Sequence, residues 1–394
     1  MIQQTPTART AMHPGPTKIR ILFVISVLDR MGGAEKNLFD IVCHLDKRQF
    51  QPHVITFQHG AVAEALAKKG IEVIECPVTS LLGRAALQYA FMARRYIRRQ
   101  GIDIIVTYHH DADIWGLFLS VLAGGLPVVS SRRDMGYQLD LRHVWFYRLF
   151  NRCFSRAITV SDAVKNELIR NQWCPSEKLV TIHNGLVPEP YRRRKRTHEI
   201  REELGLSADQ PVIGSVASFR PIKGQLFLVE AMKLLVADYP KVRVVCTGYN
   251  DTDYYRQVVQ RVHELGLAGH FIFTGARTDI PDLLPIFDIF VISSVNEGFS
   301  NAIIEAMAAG SVVVASNSGG NPESVEDTRT GLLFKACDSQ SLSEKLRILL
   351  DNPQLRCTMG QRAQTEVRNN FHLEKMIMKF QNVIKETARC ETQD

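Results

Sequence analysis

Short apolar runs rich in β-branched residues alternate along the chain with longer stretches of helical periodicity. This alternation is typical of βαβ units, in which a helix connects two parallel strands of one sheet. It predicts a first series of strands at Ile19–Val27, His53–Phe57, Ile71–Glu75, Ile102–Thr107, Pro127–Ser131, Ala157–Val160 and Leu179–Ile182. A second series is predicted at Val212–Ala217, Val242–Cys246, Phe271–Thr274, Ile289–Ile292, Val312–Ala315 and Gly331–Phe334. We therefore expect an α/β protein with two parallel sheets.

A linker separates the two series of strands. Residues His183–Arg196 contain two prolines and end in five consecutive basic residues, a composition typical of segments between domains. The sequence predicts two Rossmann-like, doubly wound domains that face each other across a cleft. Loops and helix N-termini converge at the carboxyl ends of parallel strands, so the functional site should lie in this cleft.

The domain limits follow from the position of the linker. We expect a disordered tail over residues 1–18, an N-terminal domain over residues 19–190 and a C-terminal domain over residues 191–370. Residues 371–394 are expected to form a helix that packs back on the N-terminal domain. A ligand in the cleft would contact both domains.

The composition argues against several classes of protein. Apolar residues make up 45% and charged residues 23%, as in an ordinary globular chain and unlike a disordered or collagen-like one. The eight cysteines form no CxxC pair, so a zinc ribbon or a disulfide framework has no support. The first 18 residues contain no apolar segment of a signal peptide. We expect a cytoplasmic protein.

The stretch from Ile114 to Ser131 is the longest without a charged residue. Its 18 residues are near the lower limit for a membrane span. Gly124, Gly125 and Pro127 interrupt it, so we predict a helix, a tight turn and a buried strand instead.

The charge is distributed unevenly along the chain. Residues 1–196 hold 28 basic and 16 acidic side chains, a net charge of +12, whereas residues 197–394 hold 20 and 25, a net charge of −5. Opposite net charges suggest that the two domains bind different partners.

Two glycines follow the first predicted strand. Gly32 and Gly33 lie in the βα turn where a Rossmann protein binds pyrophosphate through backbone N–H groups. The turn lacks the spacing GxGxxG, so a nicotinamide-dependent dehydrogenase loses its main support. The turn is either an anion site or a tight turn without a ligand.

Two cations follow the first strand of the second series. Arg220 and Lys223 would lie at its carboxyl end. Arginine offers a bidentate fork and lysine a point charge, so the pair could neutralise a diphosphate. A solvated turn is the alternative interpretation.

The segment Ser293–Gly310 is the most specific signal. A strand ends near Ile292, and a helix begins at about Ser300 or Asn301, either of which can serve as the N-cap. Free N–H groups over Gly298–Asn301 would favour a phosphate at this helix start.

Two glutamates flank the predicted phosphate site. Glu297 precedes it, and Glu305 lies on the helix, whose other residues are mostly apolar. Carboxylates repel phosphate, so neutral hydroxyl groups, of which sugars have many, are better targets. The alternative makes Glu305 a surface residue and Glu297 a loop charge, but a glutamate on a buried helix needs a partner.

Together these motifs resemble those of the retaining glycosyltransferases of family four, also called group 1, which have the two-domain GT-B fold. The resemblance covers nearly the whole chain after the first 18 residues. It is carried by Gly32–Glu35, Thr159–Ser161, His183–Gly185, Lys223–Gly224, Thr274–Gly275, Glu297–Glu305, Gly319–Glu323 and Gly331–Leu333. It implies a nucleoside diphosphate sugar donor held mostly by the C-terminal domain, with the acceptor on the N-terminal side.

The resemblance also implies roles for individual residues. Glu305 would hold the ribose hydroxyls and Glu297 the transferred sugar, whereas Lys223 would bind the diphosphate. The other implied contacts to the nucleotide sugar are Gly32, Gly33, Asn184, Thr274, Arg277, Gly298, Phe299, Ser300 and Asn301. Thr274 and Arg277 would border the base.

Two positions depart from the family pattern. Many relatives have an arginine where this chain has Ser218, so we assign the second cation to Arg220. Many also have a histidine that faces the sugar where this chain has Arg133, which we include in the nucleotide-sugar site. The predicted catalytic residues are Glu297, Lys223 and Arg220.

The resemblance implies retention at the anomeric carbon, with the leaving phosphate as base. No aspartate pair of the metal-binding type follows a strand, so we predict neither a metal nor another cofactor. Family frequency favours a UDP-sugar. The family commonly uses saccharide or lipid-linked saccharide acceptors in building envelope or extracellular polysaccharide, of which lipopolysaccharide is one.

Three other functions remain open. A nucleotide-sugar epimerase of the same fold would need no acceptor, and a degenerate transferase would only bind the donor. A nucleic-acid-binding protein would accord with the basic first half, but the acidic second half and the lack of a binding motif argue against it. We predict no nucleic-acid partner.

Arginines also recur in the predicted helix Arg84–Arg99. Arg94, Arg95, Arg98 and Arg99 could dock on an anionic membrane surface. Such docking would place the protein at the inner face of the membrane and suit a lipid-linked acceptor. A solvated helix face is an equal alternative.

Overall fold

A seven-stranded parallel sheet forms the first half of the protein, whose computed structural model describes residues 18–390 apart from residues 79, 82, 138 and 193–195. Its strands are β1 (Ile19–Val27), β2 (Phe50–Gln58), β3 (Val73–Glu75), β4 (Ile104–Tyr108), β5 (Val128–Arg132), β6 (Arg156–Thr159) and β7 (Leu179–Thr181). They lie in the order β3-β2-β1-β4-β5-β6-β7. The connecting helices are α1 (Gly33–His44), α2 (Ala61–Lys68), α3 (Arg84–Gln100), α4 (His110–Ala123), α5 (Leu141–Phe150) and α6 (Asp162–Gln172). The loops after β1 and β4 diverge at the switch point of this sheet.

A second parallel sheet of six strands follows the linker. Its strands are β8 (Val212–Val216), β9 (Arg243–Thr247), β10 (Phe271–Gly275), β11 (Ile289–Ile292), β12 (Val312–Ser316) and β13 (Gly331–Phe334), in the order β10-β9-β8-β11-β12-β13. Its helices are α7 (Thr197–Glu203), α8 (Gln225–Lys233), α9 (Asp253–Glu264), α10 (Ile280–Leu283), α11 (Asn301–Ala309), α12 (Asn321–Ser324), α13 (Ser339–Asp351) and α14 (Pro353–Asn370). The predicted pair of doubly wound domains is confirmed.

Each predicted strand is present, and the differences lie at the strand ends. β2 begins at Phe50 rather than His53, because Gln51 and Pro52 continue the parallel pairing with β1 despite their low strand propensity. β3 begins only at Val73, where its pairing with β2 begins. Pairing across the sheet therefore overrides local propensity at these ends.

The last helix, α15 (Leu373–Cys390), returns to the first domain. Its residues Met376, Phe380 and Ile384 lie in the same apolar core as residues of β1. The rings of Phe380 and Phe23 stack with their centroids 6.1 Å apart. The packing of this helix thus ties the end of the chain to its first strand. The predicted tail over residues 1–18 lies outside the described residues except for Lys18, as do residues 193–195 of the linker and 391–394 of the C-terminus.

The uncharged stretch around Gly124 folds as predicted. Helix α4 ends there, Gly124 and Gly125 take left-handed φ values of 107° and 91°, and β5 follows as a buried strand. No helix in the described part of the chain has an apolar stretch long enough to cross a membrane.

The two domains share apolar packing beside the cleft. One core contains Val160 and Leu168 of the first domain together with Phe299 and Ile303 of the second. Backbones also meet there: a Cβ added to Gly298 would lie 2.5 Å from the carbonyl oxygen of Arg133. Any larger residue at this glycine would push the domains apart.

The packing of α15 generates a test of stability. Phe380 is 1% exposed, so Phe380→Ala should lower the free energy of unfolding by about 3–5 kcal/mol, as removal of a buried aromatic ring does. Met378 on the same helix is 54% exposed, so Met378→Ala should change it by less than about 0.5 kcal/mol. Urea unfolding followed by circular dichroism measures both. Equal effects of the two substitutions would contradict the packing of α15.

Candidate active site

A cavity of about 730 Å³ lies between the carboxyl edges of the two sheets. This volume is within the usual range for small-molecule sites. The first domain lines it with Ser26, Val27, Gly32, Gly33, Ala34, Glu35, His109, His110, Asp111, Arg133, Asp134, Tyr137, His143 and Asn184. The second domain lines it with Ser218, Arg220, Ile222, Lys223, Asn296, Glu297, Gly298 and Phe299. Residues far apart in sequence thus face one cleft.

Lys223 and Glu297 form an ion pair in this cavity. Lys223 Nζ lies 2.8 Å from Glu297 Oε1 and 2.6 Å from Oε2. Both side chains are mostly buried, with 24% and 15% of their surface exposed. An anionic ligand that takes Lys223 must therefore compete with a carboxylate that already neutralises it.

The position of Lys223 depends on the glycine that follows it. Lys223 ends a short turn of 3₁₀ helix, Pro221–Lys223, after β8. Gly224 has a left-handed φ of 62°, and a Cβ on it would lie 2.2 Å from the carbonyl oxygen of Ser293. Only glycine fits there, so the spacing of lysine and glycine holds the ammonium group beside the loop after β11.

The N-terminus of α11 points its free backbone N–H groups toward the same region. The helix is Asn301–Ala309 with Ser300 as its N-cap, as predicted, although the Ser300 side chain makes no capping hydrogen bond. The first N–H groups of a helix lack intrahelical acceptors and carry partial positive charge. Gly298 and Phe299, just before this helix, line the cavity. Helix and lysine together form a site with a preference for anions.

Arg220 faces the cavity from the second domain and reaches across it. Its guanidinium forms a hydrogen bond to the side chain of Tyr137 in the first domain. Burial raises the pKa of Tyr137, an effect that Arg220 partly offsets. The arginine thus connects the wall that contains Lys223 with Tyr137 on the other side of the cleft.

Asn184 connects the two walls of the cleft. Its Nδ2 donates to Asn301 Oδ1 at 2.6 Å, and its Oδ1 accepts from Asn37 Nδ2 at 3.2 Å. Arg133 also donates to Asn184 Oδ1. Burial lowers the pKa of Arg133 to about 10, and its polar contact is a neutral amide. A partly buried guanidinium whose hydrogen-bond partner is neutral would be stabilised by an anion in the cavity.

Glu305 lies outside the main cavity. It borders a small neighbouring crevice of about 10 Å³, together with Lys36, Asn184 and Asn301. The Tyr191 side chain forms a hydrogen bond to Glu305. Burial raises the pKa of Glu305, although Lys36 and Tyr191 favour its charged form. The partner that a glutamate on a buried helix needs is therefore a tyrosine of the linker.

Thr274 and Arg277 also lie outside the main cavity. Thr274 Oγ1 lies 2.9 Å from the hydroxyl of Thr247 on the neighbouring strand. The guanidinium of Arg277 binds Glu203 at 2.6 Å and Asp279 at 2.6 Å, and both carboxylates raise its pKa. Arg277 is thus engaged in ion pairs within the second domain and is not a free cation. Ser300 is buried and does not line the cavity either.

Comparison with known proteins identifies the family. Residues 196–366 match the family of glycosyl transferases group 1, and residues 31–189 match glycosyltransferase family 4. The chain is 31% identical over 320 residues to a D-inositol 3-phosphate glycosyltransferase of Corynebacterium efficiens, covering 75% of each. It belongs to the group 1 glycosyltransferases.

A second relative and a solved structure support this assignment. The chain is 25% identical over 302 residues to the UDP-Gal:alpha-D-GlcNAc-diphosphoundecaprenol alpha-1,3-galactosyltransferase of Escherichia coli, covering 73% of this chain and 76% of the relative. The structure of this chain resembles that of HepE of Anabaena, solved with UDP and glucose, with a TM-score of 0.83 and 26% identity. The match covers 93% of this chain and 100% of the other. The predicted GT-B fold is confirmed.

The N-terminal wall of this glycosyltransferase contains residues that the sequence motifs did not indicate. They are His109, His110, Asp111, Asp134, Tyr137 and His143, all of which line the cavity. The sequence did contain a signal for three of them. His109, His110 and Asp111 come shortly after the predicted strand Ile102–Thr107, so they were bound to lie near the carboxyl edge of the first sheet. His109 also has a left-handed φ of 73°, a strained value that is frequent at functional sites.

Proposed function

We propose that the protein is a retaining glycosyltransferase that moves a sugar from a UDP-sugar to a hydroxyl group of a saccharide or lipid-linked saccharide. The observation that supports this most is the convergence of Lys223, Arg220 and the N-terminus of α11 on one wall of the cleft. The polar residues His110, Asp111 and Asp134 face them from the other wall. The HepE complexes with UDP and UDP-glucose favour uracil as the base.

The proposed chemistry uses the cationic wall. The bond between the anomeric carbon and the diphosphate oxygen breaks, and the leaving group gains negative charge. Lys223, Arg220 and the helix amides would stabilise that charge in the transition state. The acceptor oxygen bonds to the anomeric carbon on the same face, and its proton passes to the leaving phosphate. Glu297, released from Lys223, would hold hydroxyl groups of the transferred sugar.

The direct test is a donor and acceptor screen in EDTA. UDP-, GDP- and ADP-sugars are first compared by thermal shift, because a bound ligand raises stability by mass action. UDP-sugars should stabilise the protein most, and labelled sugar should then pass to GlcNAc-diphosphoundecaprenol or a free saccharide of the panel, with retained anomeric configuration. Conversion of the donor without an acceptor would indicate an epimerase. Transfer that requires added Mg²⁺ or Mn²⁺ would contradict metal independence.

Removal of Lys223 should weaken donor binding. A charge-assisted hydrogen bond is worth about 1.5–3 kcal/mol, so Lys223→Ala should raise the Kd for UDP by about 10- to 100-fold in calorimetry. Lys233, the exposed last residue of α8, provides the control. Lys233→Ala should leave the Kd unchanged, and an equal effect of both variants would contradict a specific contact.

Neutralisation of Glu297 should separate binding from transfer. Glu297→Gln removes the carboxylate that competes for Lys223, so UDP should bind at least as tightly as to the wild type. The transfer rate should nevertheless fall by about 100-fold, since the contact to the sugar is weakened. Weaker UDP binding, comparable to that of the Lys223 variant, would show that the ion pair assists the donor rather than competes with it.

We further propose that the first domain docks on an anionic membrane surface. Helices α3, α4 and α5 cover one face of the first sheet and share one core. Helix α3 buries Ala86, Ala90, Ala93 and Ile97 and exposes Leu87, Phe91 and Met92. Helix α5 exposes Leu141, Trp145 and Leu149, and neither helix contains an acidic residue. An apolar and basic face of this kind fits the headgroup region of anionic lipid.

The arginines of α3 are not equivalent. Arg95, Arg98 and Arg99 are exposed, whereas Arg94 Nε donates to the carbonyl of Leu122 at 2.7 Å. The docking surface would therefore use three of the four predicted arginines, with Arg94 as a structural tie between α3 and α4.

Charge reversal tests the docking surface. Each basic residue near an anionic membrane contributes about 1 kcal/mol, so changing Arg95, Arg98 and Arg99 to Glu should reduce flotation with phosphatidylglycerol vesicles by at least about 100-fold. Reversal of the exposed Arg362 and Arg368 on α14 is the control and should have little effect. Flotation that survives the α3 substitutions would contradict this surface.

A further inference from the structure

Four residues behind the N-terminal wall form a chain that the proposed chemistry does not use. Asp113 and Arg132 are buried, with 1% and 4% of their surface exposed, and Arg132 Nε lies 3.3 Å from Asp113 Oδ2. The Arg132 guanidinium lies 3.7 Å from the centre of the Tyr147 ring. Tyr147 in turn contacts His110, which faces the cleft.

The direction of each hydrogen bond in this chain is determined by its partners. A guanidinium only donates and a carboxylate only accepts. Tyr147 therefore donates its hydroxyl hydrogen to Asp113 Oδ2, at 2.8 Å. Its oxygen can then only accept from His110 Nδ1, which lies 3.0 Å away. His110 must carry a hydrogen on Nδ1, so in the neutral ring Nε2 has a free lone pair.

The free nitrogen of His110 lies on the cleft side of the ring. His110 begins α4 and lines the cavity together with Asp134. Its Nε2 lies 3.9 Å from Asp134 Oδ2, too far for a hydrogen bond. The strained backbone of His109 fixes the start of the helix just before it. The wall therefore offers two adjacent hydrogen-bond acceptors, the imidazole nitrogen of His110 and the carboxylate of Asp134.

We propose that Nε2 of His110 binds the acceptor substrate by accepting a hydrogen bond from one of the substrate's hydroxyl groups. Tyr147, Asp113 and Arg132 are then positioning residues that keep the hydrogen of the neutral ring on Nδ1. The proposal rests on the proposed function, since it names the acceptor subsite of that cleft. Hydrogen-bond acceptors attract hydroxyl groups and repel anions, so the substrate class at this wall is a neutral polyhydroxylated saccharide. His110 does not remove the proton of the attacking hydroxyl group, which passes to the leaving diphosphate as proposed above.

This subsite has a defined pH dependence. Burial lowers the pKa of His110, and the charges of Arg132 and His143 lower it further, against the opposing effect of Asp134 and Asp113. The neutral form, which accepts the hydrogen bond, is present above this pKa. Acceptor binding is therefore lost as the pH falls through it, and protonated Nε2 turns toward Asp134 instead.

The tautomer can be measured without any substrate. Long-range ¹H–¹⁵N NMR spectra of the full-length protein at pH 7.5 should show neutral His110 with its hydrogen on Nδ1, assigned by the signals missing in His110→Gln. Tyr147→Phe removes the acceptor of that hydrogen and should shift the ring to the Nε2–H form. A charged ring, or an Nε2–H ring in the wild type, would overturn the proposal.

The role in acceptor binding needs transfer kinetics with the reactive pair from the screen. His110→Ala should lower kcat/KM for the acceptor at least tenfold more than it lowers donor hydrolysis by water, and His110→Gln should restore part of the loss. His198→Ala, at a histidine whose side chain is 85% exposed, is the control. Equal losses in transfer and hydrolysis would overturn the proposal. If no acceptor reacts, the proposed function fails, and the NMR spectra still decide the tautomer.

Discussion

Two backbones meet at the base of the cleft, and the working geometry depends on that contact. Gly298, in the loop just before α11, approaches the carbonyl of Arg133 so closely that no side chain fits between them. Glu323 of the second domain strengthens the junction by accepting hydrogen bonds from the backbone N–H groups of Asp162 and Ala163, each at 2.8 Å, at the start of α6. The N-terminus of α11 is thereby placed against the wall that contains Arg133 and His110.

Local charge matters more than net charge in this cleft. The second half of the chain is acidic overall, with a net charge of −5, yet it supplies Lys223 and Arg220 to the cavity. The ion pair with Glu297 neutralises the charge of Lys223, so the positive charge of Arg220 remains on this wall. Part of the excess positive charge of the first half lies on the exposed side of α3. No residue of this helix lines the described cavity, so this charge is away from the proposed donor site.

The fold could be predicted because its signals are local. β-branched runs mark the strands, and glycine with helix-forming residues marks the start of α11. The exact ends of the strands were not predictable in this way. β2 begins at Phe50 and β3 at Val73 because pairing with the neighbouring strand begins there, and the sequence of one strand does not show where its neighbour pairs. The GT-B fold and the family were expected from the resemblance of the motifs to those of known glycosyltransferases.

The site was only partly predictable, because its contacts join distant segments. Lys223 and Glu297 were expected to bind different parts of a ligand, and their mutual ion pair depends on two loops that meet only in the folded sheet. The hydrogen bond between Glu305 and Tyr191 depends on the path of the linker. The chain from Arg132 to His110 joins β5, α4 and α5, so periodicity and motif spacing contain no trace of it.

We propose that Lys223 exchanges the carboxylate of Glu297 for the diphosphate of the donor when the donor binds. A crystal structure of the complex with UDP tests this most directly. We expect a phosphate oxygen within hydrogen-bond distance of Lys223 Nζ, in front of the N-terminus of α11, with Glu297 turned away from the lysine. UDP bound elsewhere, with the ion pair of Lys223 and Glu297 intact, would contradict it.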